Sequence, residues 1–354
     1  MKKSLFLLIS ILSMPGIAQT EVNTFFSGAN EGVTYYLPDT RIEIVVNTTC
    51  ITRIPGEFNP YAQRYLRINN AISKSESHWE MNGIEVETTG VPNREKMYTV
   101  RLNSSTAGNI SLDRNGIIAA INHRITDSMT GQETAPQNNS SAHADATQYM
   151  TEELLQATST AKLAELTAKE IYAIRESKLN ITRGLSEKMP QDGMSMKLVL
   201  DELNKQEHAL TELFTGRIDT TRHCYRFVID PKLDCDTTKA VLFRFSRKSG
   251  VVDKEDLSGS PVYYDTRDLK SVKKPTAEEL AKKKKQLKME GICYTIPGKM
   301  LLDIYTITKT LYKEEVQVAQ YGTTEVLSKT MFTKDESPKV LFDTATGGIT
   351  GIEK

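Results

Sequence analysis

Few residues in this chain stand at the spacings that chemistry requires. The five histidines are His78, His123, His143, His208 and His223, and no two lie three or four residues apart, the interval that sets two metal ligands on one helix face. No His-Glu-x-x-His, Gly-x-Ser-x-Gly, Walker loop or Gly-x-Gly-x-x-Gly occurs. Zinc hydrolysis, serine acyl transfer and nucleotide binding therefore have no local signature. No catalytic residue is assigned, and no cofactor or metal is expected.

The cysteines offer sharper alternatives. His223-Cys224 with Asp234-Cys235 is a candidate metal set. The gap between Cys224 and Cys235 fits a hairpin-spanning disulfide in an oxidising compartment better, and two free thiols are the third alternative. Cys50 and Cys293 could pair only with their Cα atoms within about 7 Å. A catalytic cysteine would need a base and a lowered pKa.

Glu207 falls on an apolar helical stripe between Leu203 and Leu210. A lone buried carboxylate is costly, so the position predicts a cation beside it, Arg175 or Arg183. The functional alternative is a general acid with a raised pKa. Trp79, Tyr61, Tyr65, Tyr263 and Tyr264 are candidates for a sugar-stacking platform, although aromatics in strands more often fill a core.

Length and composition bound what can hold these groups. The 354 residues are 39% hydrophobic and 25% charged, enough for a sizeable core and against general disorder. The 45 basic residues balance 45 acidic ones, so nucleic acid is not an expected partner. Lys2-Lys3, the apolar run from Leu5 to Met14, and the small residues Gly16 and Ala18 form a secretory signal peptide over residues 1–18, cut before Gln19. That run is too short to cross a bilayer of roughly 30 Å, and no later stretch is long enough. With no cysteine near the cut, the mature protein is expected to be exported, periplasmic or at the cell surface, neither lipoprotein nor transmembrane.

Residues 19–125 read as a β-rich unit. Val33–Leu37 and Ile42–Val46 are rich in β-branched and aromatic residues, punctuated by Pro38-Asp39. A turn at Ile54–Phe58, a short helix over 60–66 and strands near Trp79, Ile84 and Met97 follow. Residues 126–148 form a polar linker. Ala157, Ala161, Ala164, Ala168 and Ile171 recur at helical spacing, and Leu200, Leu203, Leu210 and Phe214 make a second stripe closed by Gly216. Residues 149–216 are therefore read as a helical hairpin, and 217–354 as a second β-rich unit. The fold class is α+β, two β-rich units flanking a central helical hairpin. Within the last unit, Lys282–Lys285 on a helix over 276–289 read as a solvated face rather than a polyanion site.

An internal echo links the two β units. Cys50-Ile51-Thr52-Arg53-Ile54-Pro55-Gly56 is mirrored by Cys293-Tyr294-Thr295-Ile296-Pro297-Gly298. Leu112-Asp113-Arg114-Asn115-Gly116-Ile117 is mirrored by Phe342-Asp343-Thr344-Ala345-Thr346-Gly347-Gly348-Ile349. Chance similarity among short hairpins is the competing explanation.

Tyr36-Leu37-Pro38, Pro55-Gly56-Glu57-Phe58, Tyr61–Leu66, Leu112–Gly116, Ala168–Glu176, Leu213–Gly216, Leu242–Ser246 and Val318–Gly322 together resemble, in order, the domain-of-unknown-function family 4831. The family comprises exported proteins of about this length from Bacteroidetes. The resemblance implies no activity and carries over no site residue. It does imply O-glycosylation of the type common in that phylum, at Asp-Ser/Thr followed by a small apolar residue or Thr. The candidates are Ser128, Thr220, Thr237 and Thr344, with Ser128 first because it lies in the polar linker. The functional expectation is a non-catalytic binding or scaffolding module of the envelope, its partner an envelope protein or glycan. The alternative is a hydrolase of an envelope or dietary polymer.

Overall fold

The computed structural model describes residues 33–100, 110–123, 145–186, 192–273, 276, 278–279, 291–327 and 338–353. Within them, β1 (Val33–Ile54) leads through a 3-10 turn and α1 (Ala62–Leu66) to β2 (Glu76–Val100), then to the small hairpin of β3 (Ile110–Leu112) and β4 (Ile118–Ile121). Three helices follow, α2 (Glu152–Leu155), α3 (Thr160–Thr182) and α4 (Gly193–Thr215). The chain then forms β5 (Arg217–Ile229), β6 (Ala240–Ser246), β7 (Gly250–Val252), β8 (Ser260–Asp268), β9 (Ile292–Tyr305), β10 (Thr310–Leu327), β11 (Lys339–Phe342) and β12 (Ile349–Glu353). The architecture is β-rich α+β.

The strands make three sheets, ordered β2-β1-β5, β10-β9-β8-β6-β7 and β12-β11-β4-β3. β5 pairs with β1 and β11 with β4, so chain on either side of the helices shares two of the sheets. Alternation explains the main core. Ile42, Ile44 and Val46 of β1 with Ile229 of β5 meet Phe243, Val262, Met300, Leu302, Ile304, Val316 and Val318 of the second sheet, all buried. The alternate positions, such as Glu43 and Asn47 of β1 and Asp265 and Asp303 of the second sheet, turn to the opposite faces.

β1 runs unbroken where sequence punctuation predicts two strands. Pro38 sits at a register irregularity against β2, and β5 begins pairing only at Ile42, so the missing proline N–H costs no ladder bond on that side. The helices also differ from expectation at their starts. Ser159 caps α3, its hydroxyl accepting from the Lys162 amide at 3.3 Å, so that helix begins at Thr160 rather than near 149. Asp192 caps α4 the same way with Ser195, at 2.8 Å, and Gly216 closes it at φ 78°. Ala164, Ala168, Ile171 and Ile174 of α3 share a core with Leu210 and Phe214 of α4 and with Phe58, Ala62 and Leu66. Ala161 lies outside it, exposed.

The two echoed turns make the same contacts, whereas the strand halves of the echo do not correspond. The Tyr36 amide donates to Gly116 O at 2.9 Å, and the Thr295 amide donates to Gly347 O at 2.9 Å. In both turns the opening aspartate, Asp113 or Asp343, accepts from the residue two positions on, and the closing glycine takes a positive φ, 77° or 71°. Tyr36-Leu37-Pro38 is thus the counterpart of Thr295-Ile296-Pro297. Pro55-Gly56 instead ends β1 against α4, where a Cβ on Gly56 would stand 2.3 Å from Leu213 O. β4, which follows the Asp113 turn, pairs antiparallel with β11, which precedes the Asp343 turn. Residues 1–32, most of the 126–148 linker and Lys282–Lys285 lie outside the described residues.

Candidate functional site

The outer face of the second sheet gathers the most varied chemistry. Strand alternation turns Val262, Tyr264 and Thr266 of β8 inward and Tyr263, Asp265 and Arg267 outward. On β9 the outward set is Leu301, Asp303 and Tyr305, because Met300, Leu302 and Ile304 are buried. Tyr263 is paired with Tyr305 and Asp265 with Asp303, and Lys313 of β10 stands opposite Asp303. The two tyrosine rings lie 5.8 Å apart, inclined at 31°. Neither ring belongs to any of the cores.

The next row is polar and mutually bonded. Tyr305 donates its hydroxyl to Asp265 Oδ1 at 3.0 Å, and the Lys239 amide donates to the same oxygen at 2.7 Å. Lys313 Nζ bonds Asp303 Oδ2 at 2.6 Å, whereas Asp303 Oδ1 is buried with no partner among the described residues. Two carboxylates placed directly opposite repel, and these donors offset that repulsion. Burial, then Asp265, pushes the Tyr305 hydroxyl above its ordinary range, so it remains a donor. The face thus combines flat aromatic surface with fixed acceptors and an ammonium donor.

A cleft of about 440 Å³ opens elsewhere, between the end of β1, the C-terminal turn of α4 and the 3-10 turn Ala146–Tyr149. Ile54, Met150 and Leu213 supply apolar surface, and Glu57, Asp145, Glu212 and Arg217 line it as well. Asp145 is the N-cap of the 3-10 turn, and hydrogen bonds from Thr147 hold its carboxyl below the usual range. It is thereby committed to a structural role.

The other sequence candidates are dispersed. Glu207 meets Arg175 Nε at 2.6 Å and Lys178 Nζ, so the expected cation is Arg175 and a second one joins it. Burial would raise its pKa, but hydrogen bonds from Lys178 and Arg175 outweigh burial and the net shift is downward. This overturns the general-acid reading. Tyr264 faces the main core, Tyr61 and Tyr65 stack at 6.0 Å beside the helices, and Trp79 packs on His223 at 4.7 Å. They do not form one platform. Tyr305 was missed because only its register opposite Tyr263 gives it a role.

All four cysteines are free. Cys224 is exposed in mid-β5, opposite Asn47 of β1, and Cys235 is exposed in the loop that laces onto β8, where the Thr237 amide donates to Thr266 Oγ1 at 3.1 Å. Five residues of extended strand, about 16 Å, separate Cys224 from the end of β5. Thr220 lies half-buried on β5, Thr344 lies in the Asp343 turn, and Ser128 is outside the described residues. Among the described residues no helix is long and apolar enough to cross a membrane, and no His, Cys, Asp and Glu group could hold a metal.

A family model described as Domain of unknown function (DUF4831) matches residues 31–350, and the chain belongs to that family. No curated protein and no solved structure gives a match to it.

Proposed function

We propose that this member of the DUF4831 family is an exported envelope protein that binds a glycan without cleaving it, on the outer face of the second sheet. The observation that carries the reading is the row Tyr263–Tyr305 beside the row Asp265–Asp303–Lys313. Tyrosine faces suit the C–H surface of a sugar ring, and the carboxylates and ammonium suit its hydroxyls. Glycoside hydrolysis needs a protonated carboxyl and a second carboxylate flanking the bond, in a site that shapes the substrate. Asp265 and Asp303 stand on an open sheet face, with one oxygen of each already bonded, Asp265 Oδ1 to Tyr305 and Lys239 and Asp303 Oδ2 to Lys313. Export rests on the basic, apolar and small-residue order of residues 1–18.

The test is a pull-down from native envelope with the mature chain, beside Tyr263→Ala and Tyr305→Ala variants of unchanged circular dichroism. Glycan retained by the parent and lost by both variants is the expected result. Equal retention by all three overturns the reading. The carboxylate-lined cleft keeps a polymer hydrolase as the second reading, and release of reducing ends that Glu57→Gln abolishes would favour it.

A further inference from the structure

The outer face of the first sheet is charged in a pattern that fits itself. Ile42, Ile44 and Val46 turn into the core, so Glu43, Val45, Asn47, Thr49 and Ile51 of β1 turn to the opposite face, where Val45 is only 6% exposed. Register puts Glu87, Glu85, Gly83, Glu80 and His78 of β2 on one side of them, and Val228, Arg226, Cys224, Arg222 and Thr220 of β5 on the other. One flank is therefore acidic and the other basic, with a nearly neutral strand between. Arg226 is partly satisfied in place, at 3.4 Å from Glu43 and 3.9 Å from Glu87. Arg222 has no ion pair among the described residues, and Glu80 has only His78 at 3.4 Å. Arg222 and Glu80 flank Thr49 two strand spacings apart, about 9.6 Å, and among the described residues no ion pair joins them. Among the described residues no helix covers this face.

We propose that this face binds a second copy of the chain, related by a two-fold axis running along β1. Rotation about that axis keeps each row level and exchanges the flanks. Arg222 of each copy then lies over Glu80 of the other, and Arg226 over Glu85. A two-fold axis across the strands would instead set the acidic flank over itself. The glycine in the central row leaves room, for nothing stands within 4 Å of a Cβ built on Gly83, and Cys224 of the second copy lies over it. Three strands about 4.8 Å apart and nine residues rising about 3.3 Å each cover about 430 Å² per copy, the low end of specific interfaces. The dimer is accordingly weak, and its charge pairs make it salt-sensitive.

Sedimentation of the full mature chain tests this, across protein concentration and at low and high salt. Arg222→Glu and Glu80→Arg should each weaken association at least about tenfold, and the double exchange should restore it to within about threefold, since both copies then carry the swapped pair. Maleimide labelling gives an independent reading. Cys224 should be protected as concentration rises, while Cys235 on the far loop stays reactive. A monomer at every concentration in low salt, or a dimer indifferent to Arg222→Glu, overturns the proposal.

Discussion

The side-chain carboxamide of Gln320 bonds both backbone groups of Thr40, accepting from its N–H at 3.0 Å and donating to its C=O at 2.7 Å. Thr40 pairs with Gly90 of β2 on one side, but β5 begins only at Ile42, so the other side has no strand. Gln320 stands in for that strand. The Thr40 hydroxyl finishes the junction, donating to Ala345 O and accepting from the Ala319 amide, both at 2.9 Å. Four chain segments are thereby fixed around a residue that is 1% exposed.

Removing the amide should be costly. Gln320→Ala leaves two buried backbone groups unpaired, a loss of about 1–3 kcal/mol. Gln320→Glu keeps the acceptor, loses the donor and brings a charge into the junction, so it should be at least as damaging. Urea denaturation of both variants measures this, and a midpoint unchanged from the parent would refute the role.

What could be read in the sequence follows from range. Gly216 ends its own helix and was legible for that reason, whereas the equally local caps Ser159 and Asp192 set starts that the alanine and leucine stripes alone do not fix. The Asp113 and Asp343 turns are local too, which is why the hairpin half of the echo survives. Gln320 acts on a residue 280 positions away, and Tyr305 gains a partner only through the β8–β9 register. No local period carries either relation. Pro55-Gly56 misled for the same reason, since it shares the letters of Pro297-Gly298 but not its neighbours.

Glu207 gives a pH dependence of known sign. Its folded-state pKa lies below the unfolded value, so its stabilisation is present above the ordinary carboxylate range and is lost as pH falls through the folded-state value. Glu207→Gln strands Lys178 and Arg175, which are 22% and 38% exposed, and should remove about 1–2 kcal/mol at neutral pH. Stability curves of the two proteins should converge as the solution is acidified. Parallel curves would show that the carboxylate contributes nothing.

The two alanines of one stripe should part company. Ala164 is fully buried between α3 and α4, so Ala164→Leu overpacks the seam at a cost of about 1–3 kcal/mol. Ala161, three residues earlier and exposed, should accept leucine within about 0.5 kcal/mol. Thermal melts compare them directly, and equal shifts for both would contradict the packing.

Glycosylation at the four candidate positions should follow accessibility rather than motif. The four candidates share the Asp-Ser/Thr pattern, so only their surroundings separate them. Thr344 is pressed onto β2: a Cβ on Gly90 would stand 1.9 Å from Thr344 O. The Thr237 backbone is bonded both ways to Thr266, at 3.1 and 2.9 Å. Thr220 is half-buried in β5 opposite Ile51. A transferase needs free, extended backbone around its acceptor, which a paired strand or docked turn denies. Ser128 stands in the polar stretch 126–148, whose composition offers little to bury. Peptide mass spectrometry of native material should find a sugar on the Ser128 peptide and the Thr344 peptide at its unmodified mass. A bare Ser128 beside a modified Thr344 would reverse the ranking and show that the turn opens before modification.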